Sequence, residues 1–172
     1  MSKILVDEIA PRTTGGSVLL PAGSVMQVKQ TIKDDTFGTS TNTNHEDITG
    51  LSVSITPNST SSKVLVTVHL GVVGVSANGA ASFRIYRDST VIGDSNQGTS
   101  DPRDGSMVFY HNNQTGIGVP VSFSFLDSPS TTSAITYKVS IYANAGTGCI
   151  NFLPLDSNWR ASSTITVMEI AG

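Results

Sequence analysis

Val64-Leu65-Val66-Thr67-Val68-His69-Leu70 decides the fold. Val64, Val66, Val68 and Leu70 occupy every second position, and Leu65, Thr67 and His69 fill the gaps. A period of two sends one set to one face of an extended strand and the other set to the opposite face. The rhythm recurs on both sides of this stretch. Met26, Val28 and Ile32 alternate with Gln27 and Lys29, and Leu51, Val53 and Ile55 with Ser52, Ser54 and Thr56. Phe83 and Ile85, Met107 and Phe109, the run Val119 to Phe125, and the run Ile135 to Ile141 repeat it. Ile150 and Phe152 form a short segment, and Ile165 and Val167 close the chain. About nine half-buried strands and no helical window predict an all-β protein, an antiparallel sandwich or barrel.

Turn chemistry separates the runs. Asn78-Gly79 reads as a hairpin turn. Asp104-Gly105 precedes the Met107 strand, while Thr56-Pro57-Asn58-Ser59 and Asp127-Ser128-Pro129-Ser130 cannot continue a strand. With 172 residues, this is one domain, residues 23–172, carrying an extended arm over residues 1–22. The arm holds two apolar patches, Ile4, Leu5, Val6 with Ile9, and Val18, Leu19, Leu20, around Pro11 and Gly15-Gly16. Such patches need a partner to cover them.

Charged residues are only 13% of the chain, whereas Ser and Thr number 24 and 20. A net charge of −3 lacks the basic footprint of a nucleic-acid binder. No apolar run is long enough for a membrane helix, so no membrane insertion is expected. Asp7 and Glu8 interrupt the N-terminus before any secretory core forms. Cys149 is the single cysteine, which excludes an intrachain disulfide and fits folding in a reducing compartment. Its neighbours supply no base, so it reads as a small buried hydrophobe.

Several outward positions are apolar or aromatic. Tyr86, Val108, Tyr110 and Tyr142 take the phase opposite to the core, and Met168 and Ile170 do so on the last strand. Together these six residues predict a subunit interface, where tyrosine is favoured and charge is depleted. The longest polar stretch, residues 93–105, reads as a recognition loop with Asp94, Asn96, Gln97, Asp101, Arg103 and Asp104 as its contact residues.

Catalytic patterns are thin. His45-Glu46-Asp47 reads as a solvated loop, and His69 and His111 as surface or interface residues. No nucleophile elbow, phosphate loop or Cys-x-x-Cys pair occurs. Asp94, Asp101, Asp104, Asp127 and Asp156 fall in expected loops, which permits a carboxylate pair for sugar hydrolysis without suggesting one. The expectation is a non-enzymatic protein with no cofactor, no metal and no catalytic residue.

The ends of the chain carry a resemblance. Ser2-Lys3-Ile4-Leu5-Val6-Asp7-Glu8-Ile9-Ala10-Pro11-Arg12-Thr13 resembles the opening of tail-fibre and other virion structural proteins of tailed phages, especially those of cyanobacteria and marine bacteria. Ser163-Thr164-Ile165-Thr166-Val167-Met168-Glu169-Ile170-Ala171-Gly172 resembles the closing strand of their β-rich heads. Phe83-Arg84-Ile85-Tyr86-Arg87-Asp88 and Ile135-Thr136-Tyr137-Lys138-Val139-Ser140-Ile141 look like further strands of that head. Such heads are similar to the trimeric jelly rolls of the tumour necrosis factor and complement globular-head type. The resemblance implies a jelly-roll head and a homotrimeric short tail fibre located in the virion. Its arm would dock other virion proteins, and its head would meet a host surface glycan or envelope protein. Fibres of this kind usually place a long shaft between arm and head, whereas here the head begins near Gly23. A capsid decoration protein of the same fold is the alternative.

Overall fold

The computed structural model describes residues 20–40, 42–76, 78–95, 101–111 and 116–172. These hold thirteen strands and no helix. The long ones are β1 (Val25–Lys33), β3 (Glu46–Ile55), β4 (Lys63–Val75), β5 (Gly79–Arg87), β7 (Met107–His111), β8 (Gly118–Asp127), β9 (Ile135–Ala143) and β13 (Ser163–Ile170). Short strands fill the connections: β2 (Phe37–Thr39), β6 (Thr90–Ile92), β10 (Gly148–Ile150), β11 (Phe152–Leu153) and β12 (Asp156–Arg160).

The pairing of the long strands is nested. The first pairs with the last (β1 with β13), the second with the seventh (β3 with β9), the third with the sixth (β4 with β8) and the fourth with the fifth (β5 with β7), all antiparallel. One sheet therefore runs β1-β13-β4-β8, with β10 and β2 continuing beside the far end of β4, and the other runs β3-β9-β5-β7. This is the jelly-roll arrangement of two packed antiparallel sheets. The core lies between them and is built from the alternating positions. Val64, Val66, Val68 and Leu70 are fully buried, as are Phe83, Ile85, Tyr137, Val139, Ile141, Ile165 and Val167.

Three expectations need correction. First, Asn78-Gly79 is not a hairpin turn, because β4 and β5 lie in different sheets and the dipeptide carries the crossover. Gly79 packs closely there: a Cβ would sit 2.5 Å from Asn144 Oδ1, which accepts from Ala80 N, so a larger residue would have to displace that contact. Second, Glu46 and Asp47 open strand β3 rather than a loop.

Third, β1 is inverted. Val28 and Ile32 are 51% and 60% exposed, whereas Lys33 is buried and Gln27 faces the buried Glu169. The cause is a bulge between Val25 and Gln27 on the pairing with β13. An extra residue in one strand shifts the phase of everything beyond it.

Buried polar groups close the remaining seams. Asn151 has a left-handed φ of 66° and is fully buried. Its amide donates to the Lys33 and Asp35 carbonyls at 2.9 Å, and its Oδ1 accepts from Ser163 Oγ at 2.6 Å. Asparagine tolerates this backbone conformation better than most residues. Cys149 is buried as expected, and burial pushes its thiol up to about 12.

Candidate functional site

The outer face of the β3-β9-β5-β7 sheet carries the most distinctive surface. Tyr142 on β9, Ser82 on β5 and Val108 on β7 lie side by side in register, with Ala80 and Tyr110 paired next to them. Cross-strand neighbours of this kind share one face. With Arg103 and Asn144 they line an open pocket of about 210 Å³. That is smaller than the roughly 300–1,000 Å³ of typical small-molecule sites. Val108 and Tyr110 stand 57% and 65% exposed at its rim.

His45 packs beside the pocket, on the same outer face. Its ring lies 6.0 Å from that of Tyr142 at 34°. Its Nε2 is 2.9 Å from the Pro102 carbonyl oxygen, which can only accept, so Nε2 carries the proton. Nδ1 is then free to accept from Ser140 Oγ at 3.3 Å. Ser82 Oγ donates to the same Pro102 oxygen at 2.9 Å. Burial, followed by the positive Arg84, holds the imidazole below its ordinary pKa.

Asp94 and the 101–103 segment are held by charges from Arg84 on β5 and from Arg103. Arg84 Nε lies 3.1 Å from Asp94, and its Nη2 donates to the Asp101 carbonyl at 3.0 Å. Arg103 forks onto the Asp101 carboxylate, with Nε at 2.9 Å and Nη2 at 2.5 Å, and this lowers Asp101 to about 2. Asp104 also has interaction partners.

The residues expected to form one interface do not share a face. Tyr86, Val108, Tyr110 and Tyr142 lie on the outer side of the β5–β9 sheet. Met168 and Ile170, both half-buried, lie on the outer side of the other. Tyr142 is only 7% exposed because His45 and its neighbours in the same chain cover it. Tyr86 is half-buried, with Lys138 Nζ 5.5 Å above its ring. Arg103, expected in the recognition loop, joins Val108, Tyr110 and Tyr142 in the pocket. Asn96, Gln97 and the arm residues Ile4, Leu5, Val6, Ile9, Val18 and Leu19 lie outside the described residues. Leu20 is 44% exposed beside the start of β1.

The aspartates that could have formed a hydrolytic pair are engaged elsewhere. Asp127 is not in a loop but ends β8, buried, and takes both oxygens to Arg87 Nη1 at 2.7 and 2.8 Å. No cluster of three metal-ligating side chains occurs among the described residues. Sequence reading missed Leu155 and Trp159, 58% and 67% exposed on and beside the β11–β12 hairpin. The lone tryptophan within Asp156-Ser157-Asn158-Trp159-Arg160 was the available signal.

No protein-family model matches the chain, and no curated protein matches it. Solved structures from infectious bursal disease virus align with it. The T13 viral particle shares 14% identity at a TM-score of 0.41, over 84% of this chain and 36% of that one. The VP2 subviral particle shares 14% at 0.40, over 86% and 39%. Virus-derived T=1 particles share 13% at 0.41, over 95% and 41%. The chain thus spans about two-fifths of the length of the chains it matches. At this level of likeness nothing about those particles transfers to it.

Proposed function

We propose that the chain is a structural protein of a virus particle, a homotrimeric short tail fibre whose head meets a host surface glycan or envelope protein. The observation that carries this reading is the pocket face. Val108 and Tyr110 stand exposed beside Tyr142, and no carboxylate is among the described residues that line this pocket. Such a surface suits contact with another molecule, because tyrosine buries area while keeping a polar handle. Its described lining residues include no acid–base pair for turnover. The phage-like sequences at both ends supply the virion context, and residues 1–22 are the docking arm in this reading. Fold alone would not, since jelly rolls serve many functions.

A capsid decoration protein is the second reading. What favours it is the short spacing between Thr13, where the phage-like opening stops, and Val25, where β1 starts. That spacing leaves no room for a shaft between arm and head. Gold-labelled antibody against the protein on intact particles tests both. Label at the tail supports the fibre, label spread over the head supports decoration, and label on neither overturns the proposal.

A further inference from the structure

The pocket on the outer face of the β3-β9-β5-β7 sheet is shaped by side-chain size. Its central strand, β5, puts the small Ala80 and Ser82 between larger residues on both neighbours. Ala80 pairs with Tyr110 and Ser82 with Val108 on β7, while Ser82 pairs with Tyr142 on β9. Asn144 closes the Ala80 end, where its Oδ1 accepts from Ala80 N at 2.6 Å. Arg103 stands toward the Ser82 end, because Ser82 Oγ donates to the carbonyl of the preceding Pro102 at 2.9 Å. The result is a short trough with an exposed tyrosine ring along one side and a polar side chain toward each end.

Both end groups are donors held by contacts of their own. Ala80 N takes Asn144 Oδ1, which fixes the amide plane, and none of the described residues engages Nδ2, so it keeps two protons to give. Asp101 fixes the Arg103 guanidinium by accepting from Nε at 2.9 Å and from Nη2 at 2.5 Å. None of the described residues engages Nη1, and the Arg103 side chain is mostly exposed. Charge does not favour an anion here. Asp101 already offsets Arg103, Arg84 pairs with Asp94 at 3.1 Å, and Asp104 adds a further negative charge close to Arg103. The site therefore suits a neutral ligand with an apolar face and acceptors around its rim. A pyranose sugar has that chemistry: its C–H groups make one face apolar enough to lie on an aromatic ring, and its hydroxyls ring the edge. A volume of about 210 Å³ suits one such ring rather than a drug-sized ligand.

We propose that this trough binds one neutral pyranose unit of a glycan, with the C–H face of the sugar on Tyr110 and its hydroxyls on Asn144 Nδ2 and Arg103 Nη1. Ser82 and Tyr142 shape the trough but are committed within the chain, Ser82 to the Pro102 carbonyl and Tyr142 to the His45 ring. This rests on the reading of the face as the one that meets a host molecule, and it selects a neutral sugar over an acidic one and over a protein.

Nuclear magnetic resonance of the full chain, titrated with the methyl glycosides of glucose, galactose, mannose and N-acetylglucosamine, tests it. At least one of these should saturably shift the Ala80 and Val108 methyl signals and the Asn144 side-chain amide. The methyl glycosides of glucuronic acid and N-acetylneuraminic acid should bind more weakly. Tyr110→Ala should weaken binding about tenfold, whereas Tyr110→Phe keeps the ring and should leave it nearly unchanged. Asn144→Asp keeps the oxygen that holds Ala80 N but removes the donor, and should weaken binding about fivefold. No shift at these residues with any of the four neutral glycosides overturns the proposal. So does tighter binding of either acidic sugar, or neutral-sugar binding that Tyr110→Ala leaves intact. Adsorption to host cells of particles carrying Tyr110→Ala separates the sugar site from the host reading. Sugar binding in solution with normal adsorption upholds the site and overturns the host reading. Lost adsorption with no sugar binding means that the face meets an envelope protein, and the sugar site falls.

Discussion

Gln27 Nε2 donates to Glu169 Oε2 at 2.6 Å across the β1–β13 pair, just beyond the bulge. Glu169 is fully buried, and Asn58 N and Ser62 Oγ also donate to its Oε1, each at 2.7 Å. Burial alone would raise its pKa, but these donors outweigh it and hold the carboxyl below the ordinary value. Glu169→Ala removes the acceptor shared by the buried Ser62 hydroxyl, the half-buried Gln27 amide and the exposed Asn58. It should cost about 3 kcal/mol of unfolding free energy in urea titrations.

The same site sets an acid limb. A carboxyl whose folded pKa lies below its unfolded value binds fewer protons when folded. Its stabilisation is complete above an unfolded pKa of about 4.3. It is lost as pH falls from there through the folded value. Glu169→Gln should flatten this part of the stability profile. A variant profile parallel to that of the unaltered chain below pH 4.3 would count against the assignment.

Asp127 is the second buried acid, and its partners rank by charge. Tyr137 donates its hydroxyl at 2.7 Å, while Arg87 supplies the opposing charge. Tyr137→Phe should cost about 1 kcal/mol. Arg87→Met leaves a carboxylate buried without its cation and should cost about 3 kcal/mol or more. Equal losses from the two variants would show that the ion pair is not the dominant contact.

These acids mark where sequence reading stops. Alternation in Val64 to Leu70 and Ile135 to Ile141 revealed the strands and their inner faces, because burial of one face imposes a period of two. It could not reveal that β4 and β5 part company at Asn78-Gly79, since sheet membership depends on pairings far apart in the chain. It misread β1, where one bulge residue reverses the phase and a buried glutamate selects Gln27 over Val28. At the candidate site, Tyr110 and Val108 were legible as outward apolar residues. Their meeting with Arg103 was not, because the 101–105 segment reaches them only after the chain has folded.

His45 should make stability fall in mild acid. Its folded pKa is lowered, so the folded state takes up a proton less readily than the unfolded chain. The loss should begin as pH falls below about 6.5, the unfolded value, and level off once pH passes below the folded one. His45→Gln should remove this slope. An unchanged slope between pH 6.5 and 5 would assign it to another group.

The pocket face makes the sharpest distinction between a protein that works alone and one that assembles. Tyr110 and Val108 are mostly exposed, so charge placed there should be tolerated by the isolated fold. Tyr110→Asp and Val108→Asp should change unfolding free energy by less than about 0.5 kcal/mol, as surface substitutions do. If this face is buried against another subunit, either variant would place an unpaired charge in the contact. The mass by light scattering should then drop to that of a single chain. A face that instead meets a host molecule predicts unchanged mass and lost adsorption to host cells. Unchanged mass together with unchanged adsorption would remove the pocket face from the function altogether.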